Sequence, residues 1–339
     1  MSHNSTHSKV RHEPVMLANV MAALAPAAGK TYIDGTFGAG GYSRAILAAA
    51  DCKVIALDRD PDAIANGAPL VAEFDGRLKL VQARFSDMHR VVAEQGLGHV
   101  DGVVLDIGVS SMQIDEAVRG FSFLRDGPLD MRMSQSGQSA ADRVNSLDHN
   151  ELSRVIFILG DEPRARSIAR AIVTARSDQP LRTTHDLVRV IESVTGPQRP
   201  MERIHPATKT FQALRILVNG ELTELEEALN AAEDLLSVGG RLVVVTFHSL
   251  EDRIVKRFFT ARSGRTSAPS RHQPTAPAGH DATFDMQVRG HTEASVEEVA
   301  HNPRARSAKM RSAFRNTAAS WPKSARDSHV PRVGDGLRP

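Results

Sequence analysis

Between a short β-branched run and a helical pattern lies Asp34-Gly35-Thr36-Phe37-Gly38-Ala39-Gly40-Gly41. Glycines at such a junction let the backbone turn tightly and let a ligand approach without meeting a Cβ. The dinucleotide fingerprint G-x-G-x-x-G would need glycine at position 43, where the chain has Ser43. A hydride-transferring adenosine-cofactor enzyme is therefore disfavoured, and P-loop Gly-Lys-Ser/Thr spacing is absent as well. Asp34, heading the loop, would repel a pyrophosphate but can reach an ammonium group. The next apolar run ends at Asp58, 18 residues beyond Gly40. A carboxylate about 20 residues past such a loop accepts from the two hydroxyls of a ribose. The competing duty of helix capping falls to Asp60. Phe85, just past the third run, can flank an adenine ring, and Asp106 ends the fourth. Together they outline one site for an adenosine cofactor with an amino-acid tail, a description that S-adenosylmethionine meets.

These residues need a scaffold that brings them to one edge. Thr31–Ile33, Lys53–Leu57, Leu78–Gln82 and Val100–Leu105 read as strands, with helix patterns at Tyr42–Ala50, Pro61–Ala68 and Asp87–Gln95 between them. Runs that are apolar throughout and alternate with helices predict a parallel sheet covered on both faces, with ligands beyond the carboxyl ends of its strands. From about Asp115 to Arg215 the chain offers no convincing strand. Asp148 to Glu151 forms a capping box before Leu152–Leu159, Pro163 starts a helix running to about Arg176, and Thr184–Val194 reads as another. After a helix pattern over Leu222–Leu236, strand character returns at 239–247 and again at 307–315. The expected organisation is a first sheet segment, 1–114, an all-helical insertion, 115–215, a second sheet segment, 216–320, and a basic disordered tail, 321–339. The Ser-, Pro- and Arg-rich stretch from Arg262 to His280 reads as a mobile loop.

Composition narrows the class. At 339 residues with 41% hydrophobic content the chain has room for about two domains with proper cores. Its 42 Lys+Arg nearly balance 40 Asp+Glu, but residues 253–339 hold 16 basic against 7 acidic, and residues 163–215 hold 10 against 4. Of the basic residues 34 are Arg, which suits bidentate phosphate recognition and equally fits a GC-rich genome. A single cysteine, Cys52, excludes an internal disulfide, and no Cys/His spacing fits zinc, so no metal is expected. No apolar run approaches the ~18 residues of a membrane span. Val15–Ala28 imitates a signal peptide but reads better as an amphipathic helix opened by Pro14, so the cytoplasm is the expected compartment.

The residues also carry a resemblance. Asp34 to Gly41, Ala56-Leu57-Asp58-Arg59-Asp60, Leu105 to Ser111 and Arg119-Gly120-Phe121-Ser122-Phe123 resemble the ribosomal RNA small subunit methyltransferase H family, also called MraW. So do Gly127 to Met133, His205-Pro206-Ala207-Thr208, Thr210 to Ile216, Phe247 to Arg253 and Asn302 to Ser307, in unbroken order across roughly residues 12–315. The resemblance implies a class I S-adenosylmethionine-dependent methyltransferase fold, Rossmann-like, with an inserted all-helical domain. It implies methyl transfer to N4 of a decoding-centre cytidine, in the P site of 16S rRNA within the small ribosomal subunit. It assigns Gly40, Gly41 and Tyr42 to the methionine end of the cofactor, Asp58 to the ribose, Phe85 to the adenine, and Asp106 and Gln113 to the remaining contacts. Two positions depart from many members: Tyr42 stands for His, and Met112 for Pro beside Gln113.

For the chemistry, the delocalised lone pair of an aromatic amine needs an acceptor on its N–H. Asp106 or a nearby backbone carbonyl is the expected acceptor, with stacking from Phe121, Phe123 or Phe247-His248. Arg164, Arg166, Arg170 and Arg176 recur on one helix face and are expected to meet phosphates. A non-catalytic RNA-binding assembly factor on the same scaffold is the alternative. Monomer and homodimer are both compatible with the sequence.

Overall fold

The apolar runs become strands that are buried from both sides. β1 (Thr31–Asp34), β2 (Lys53–Asp58), β3 (Leu78–Gln82) and β4 (Val100–Asp106) lie parallel. The computed structural model describes residues 14–198, 204–264, 280–334 and 337. β5 (Leu236–Thr246) joins β4 in parallel, and the sheet is completed by β6 (Phe284–Met286), β7 (Thr292–Glu293) and an antiparallel β8 (Lys309–Arg315). The order is β3-β2-β1-β4-β5-β8-β6, with β7 beside β8. Its direction reverses between β1 and β4, which opens a crevice at their carboxyl ends.

Side chains alternate strictly across the sheet. Tyr32, Val54, Ala56, Val104, Val243 and Val245 face a core shared with α1 (Leu17–Leu24) and α2 (Gly41–Ala49). Ile33, Ile55, Leu57, Val103, Leu105, Leu242 and Val244 face the other core. That second core continues without a break into Leu152, Val155, Ile168, Leu187, Phe211 and Leu214 of the helical segment.

On the sheet, α3 (Pro61–Glu73) and α4 (Met88–Glu94) follow β2 and β3, and a short α5 (Ser111–Asp115) follows β4. The helical segment holds α6 (Ala140–Ser146), α7 (His149–Gly160), α8 (Ala165–Asp178), α9 (Thr184–Thr195) and α10 (Thr208–Asn219). α11 (Glu221–Leu235) leads straight into β5, α12 (Ser249–Arg262) follows it, and α13 (Val296–His301) precedes β8.

Several expectations shift. The helix expected from Pro14 starts at Leu17, after Met16 in a left-handed conformation, and the one expected from Pro163 starts at Ala165. α3 runs through Pro69 to Glu73, because burial of Leu70 outweighs the lost backbone bond. A 3-10 turn, Phe85–Asp87, precedes α4. α10 crosses residue 215, where the insertion was expected to end. Of the tail expected to be disordered, the described residues are held down: the Arg262 guanidinium lies 3.9 Å from the Trp321 ring, Arg326 pairs with Asp234 at 2.6 Å, and Val333 is buried, while residues 335, 336, 338 and 339 lie outside the described residues. Of the loop expected between Arg262 and His280, residues 265–279 lie outside the described residues.

Candidate functional site

The crevice is built by three carboxylates that each end a strand. Asp34 is fully buried; one oxygen accepts from the Ser43 amide at 3.1 Å and hydroxyl at 2.7 Å, the other from the Thr36 amide at 3.2 Å. Burial pushes its carboxyl up to about 6 against those bonds. Asp34, expected to reach for an ammonium, thus first folds the glycine loop, and Ser43 is the residue that receives it. Gly40 caps α2 with φ 79°, and a Cβ there would stand 2.6 Å from Leu70 and 2.8 Å from Phe37. A side chain at this position would be strained twice over. Gly41 and Tyr42 start α2, so their amides are first-turn donors that no helical carbonyl reaches. The Tyr42 hydroxyl donates to the Val15 carbonyl inside the core, leaving its backbone to face the loop.

Asp58 closes the loop from the neighbouring strand. Its oxygens accept from the Gly38 amide at 2.8 Å and the Asp60 amide at 2.8 Å, while burial raises its pKa. Each oxygen keeps a lone pair for a ribose hydroxyl. Asp60 caps α3 as expected, accepting from the Asp62 amide. It also accepts from the Gln113 amide group and from Arg119, both at 2.8 Å. Gln113 is buried and completes a capping box with Ser110, so both ends of its side-chain amide are engaged by protein. Phe85 follows β3, whose Gln82 pairs with Asp58; a Cβ on Gly35 would lie 3.1 Å from its Cβ.

Asp106 differs from the other two. Its amide donates to Thr36 Oγ1 at 2.7 Å, which ties β4 to the glycine loop. Its Oδ1 is buried without a hydrogen-bond partner among the described residues. Burial first, then Asp34 and Glu251, push its carboxyl up to about 8. An unsatisfied buried acceptor among acidic neighbours awaits a donor or a cation.

Beside Asp106, β5 leads to Phe247 and His248, and a Cβ on Gly108 would lie 3.4 Å from the Phe247 ring. His248 caps α12; its Nε2 stands 2.7 Å from Glu251 Oε1, and neither atom has a well-formed hydrogen bond. Ligand atoms of Glu221, His248 and Glu251 gather within 4.8 Å of one another. Arg215 already supplies the positive charge that trio would attract, donating to both Glu221 oxygens at 2.8 Å and lying 3.8 Å from Glu251. Burial raises the Glu251 carboxyl, but His248 and Arg215 hold it below its usual range.

Phe123 packs against Phe211 and His205 at ring separations of 4.9 and 4.7 Å, a core role, and Phe121 lies near Arg119. Of the arginine row, Arg176 donates to the Val144 carbonyl and Arg164 to the Thr195 carbonyl, whereas Arg166 and Arg170 are exposed on α8. Sequence reasoning missed Glu224 of α11, which accepts from the Phe85 amide and pairs with Arg59; no local pattern announces it. It missed Glu251 as well, although the His248-x-x-Glu251 spacing is a capping-box signal.

Residues 9–316 match the MraW methylase family. The chain is 56% identical over 326 residues to the Ribosomal RNA small subunit methyltransferase H of Parvibaculum lavamentivorans, covering 95% of this chain and 94% of that one. It is 59% identical over 312 residues to the protein of the same name from Azorhizobium caulinodans, covering 92% and 89%.

Proposed function

The chain belongs to the MraW methylase family, and from that premise we propose that it methylates N4 of a P-site cytidine of 16S rRNA within the small ribosomal subunit. It is an S-adenosylmethionine-dependent rRNA methyltransferase of the Rossmann-like class I fold. Among the described residues no helix is long and apolar enough to cross a membrane. When bound, S-adenosylmethionine supplies an electrophilic methyl group on a sulfonium.

The residues suit that cofactor. The Gly41 and Tyr42 amides face the methionine end, Asp58 the ribose hydroxyls and Phe85 the adenine. Gln113 contributes by holding the wall at Asp60. The carboxylates of Asp34 and Asp106 favour a ligand bearing positive charge.

The observation that carries the N4 reading is the unpartnered Asp106 Oδ1. An acceptor there can take an N–H of the target amine and turn the nitrogen's lone pair away from its ring. On gaining the methyl group that the sulfonium would supply, the amine must shed a proton. In the cofactor-free chain the Asp106 carboxyl stands near 8; the positive charge of the bound cofactor draws it down, so that the ionised carboxylate can accept that proton. Arg166 and Arg170, exposed on α8, are the best placed to meet phosphates.

Labelled S-adenosylmethionine incubated with small subunits from a strain lacking this enzyme should label 16S rRNA, and mass spectrometry should place the methyl on a cytidine N4. RNA binding without label would favour the assembly-factor alternative, and label on another base would refute the N4 assignment.

A further inference from the structure

Glu224 lies on α11, more than one hundred residues after the loops that make the cofactor crevice, yet its side chain is 1% exposed and ends between two of them. One oxygen accepts from the Phe85 amide at 3.1 Å. The other accepts from Arg59 Nη1 at 2.8 Å, and the same nitrogen donates to the Asn219 carbonyl at 2.8 Å. Arg59 directly follows Asp58, so a single carboxylate grips the residue next to the ribose wall and the backbone of the adenine wall.

A helix can be seated on a sheet by apolar side chains alone, and an ion pair taken out of water returns little net stability. What such a pair does supply is direction: a carboxylate with two fixed donors sets the distance between the groups that donate. We infer that Glu224 is a positioning residue for the adenosine end of the cofactor, holding the Asp58 and Phe85 walls at the separation that admits a nucleoside. The inference rests on the reading of the Asp58–Phe85 slot as the adenosine site.

The protonation of Glu224 should therefore be felt by the ligand. Burial pushes its carboxyl up to about 7, against Arg59 and Arg84 from the loops facing it, while Glu221 on its own helix adds to the rise. The ionised form accepts from both donors. The protonated form must turn one oxygen into a donor facing Arg59 or the Phe85 amide, which loosens the slot.

The test is calorimetric titration of the full chain with 5′-methylthioadenosine, which carries the adenosine end without the amino-acid tail. The wild-type protein should bind more tightly as pH rises through about 7. Glu224→Gln should bind about tenfold more weakly above that pH, the loss expected for one charge-assisted hydrogen bond, and should lack the pH step. Equal binding by Glu224→Gln and wild type across the pH range would overturn the inference. If Glu224→Gln does not fold, Arg59→Gln tests the pair from its other side, with the same loss expected and unchanged binding overturning the idea. A wild-type protein that binds S-adenosylmethionine but shows no affinity for the probe would instead overturn the assignment of the slot.

Discussion

The acceptor role proposed for Asp106 ties stability and catalysis to one side chain. Its carboxyl, near 8 when folded against about 4 when unfolded, keeps the native state protonated over the interval between. The folded protein binds the extra proton, so cofactor-free stability should fall as pH rises from about 4 to 8 and then level off. Asp106→Asn should flatten that fall in a series of thermal unfolding curves. The cationic cofactor should offset it more than the neutral product S-adenosylhomocysteine does. In turnover, Asp106→Asn should be slower by about a hundredfold or more, in line with loss of a positioned acceptor. Normal turnover with unchanged cofactor affinity would falsify the acceptor role. The identity of these carboxylates was legible in the sequence because each ends an apolar run and strand direction fixes where it points. What each one touches was not: Asp34 and Ser43 are nine residues apart with nothing local to pair them, and the bond from the Tyr42 hydroxyl to Val15 follows from how the amino-terminal segment folds back.

At the scale of elements, the loop after β2 is the joint between cofactor crevice and helical segment. Asp60 receives Gln113 from α5 and Arg119 from the segment beyond, while Arg119 also donates to the Arg132 and Met133 carbonyls at 3.1 Å. Asn219 at the end of α10 bonds the Met131 carbonyl and the Met133 amide from the opposite side. Arg119→Met strands the Asp60 charge and should cost about 3–5 kcal/mol in denaturant titration. Asp60→Asn with Arg119→Met together should cost clearly less than the sum of the two singles. Additive losses would show that the pair is not coupled. The helices of this region announced themselves through local periodicity and, for α7, through the capping box at Asp148; the Thr183 cap of α9 was not read. α12 did not announce itself, since its apolar residues Ile254, Val255, Phe258 and Phe259 are interleaved with basic ones, in a stretch read only for its excess of positive charge. Arg119 and Asp60 stand 59 residues apart and Arg59 and Glu224 165 apart, separations at which a single sequence carries no pairing signal.

For the whole molecule, charge and core have different geographies. The exposed Arg166 and Arg170 sit on the helical segment, so reversing both to Glu should weaken RNA binding and make its salt dependence shallower by about two counterions. Filter binding over a range of salt concentrations reads both quantities, and an unchanged slope would remove these arginines from the RNA interface. At the carboxyl terminus, removal of residues 321–339 exposes Arg262 and Glu233, a buried pair at 3.0 Å beneath Trp321. The shortened chain should unfold at a lower temperature, where a disordered tail would be lost without effect.

The order of the sheet has a consequence for how the protein is made. β4 finds its second neighbour in β5, and β5 is not available until residues 107–235 have emerged. At about 5–20 residues per second, the open edge of β4 waits on the order of ten seconds during synthesis. An exposed edge of this kind is a template for unwanted pairing. The nascent chain therefore passes through an interval in which a chaperone, or early folding of the helical segment over Val103 and Leu105, has to stand in for the missing strand.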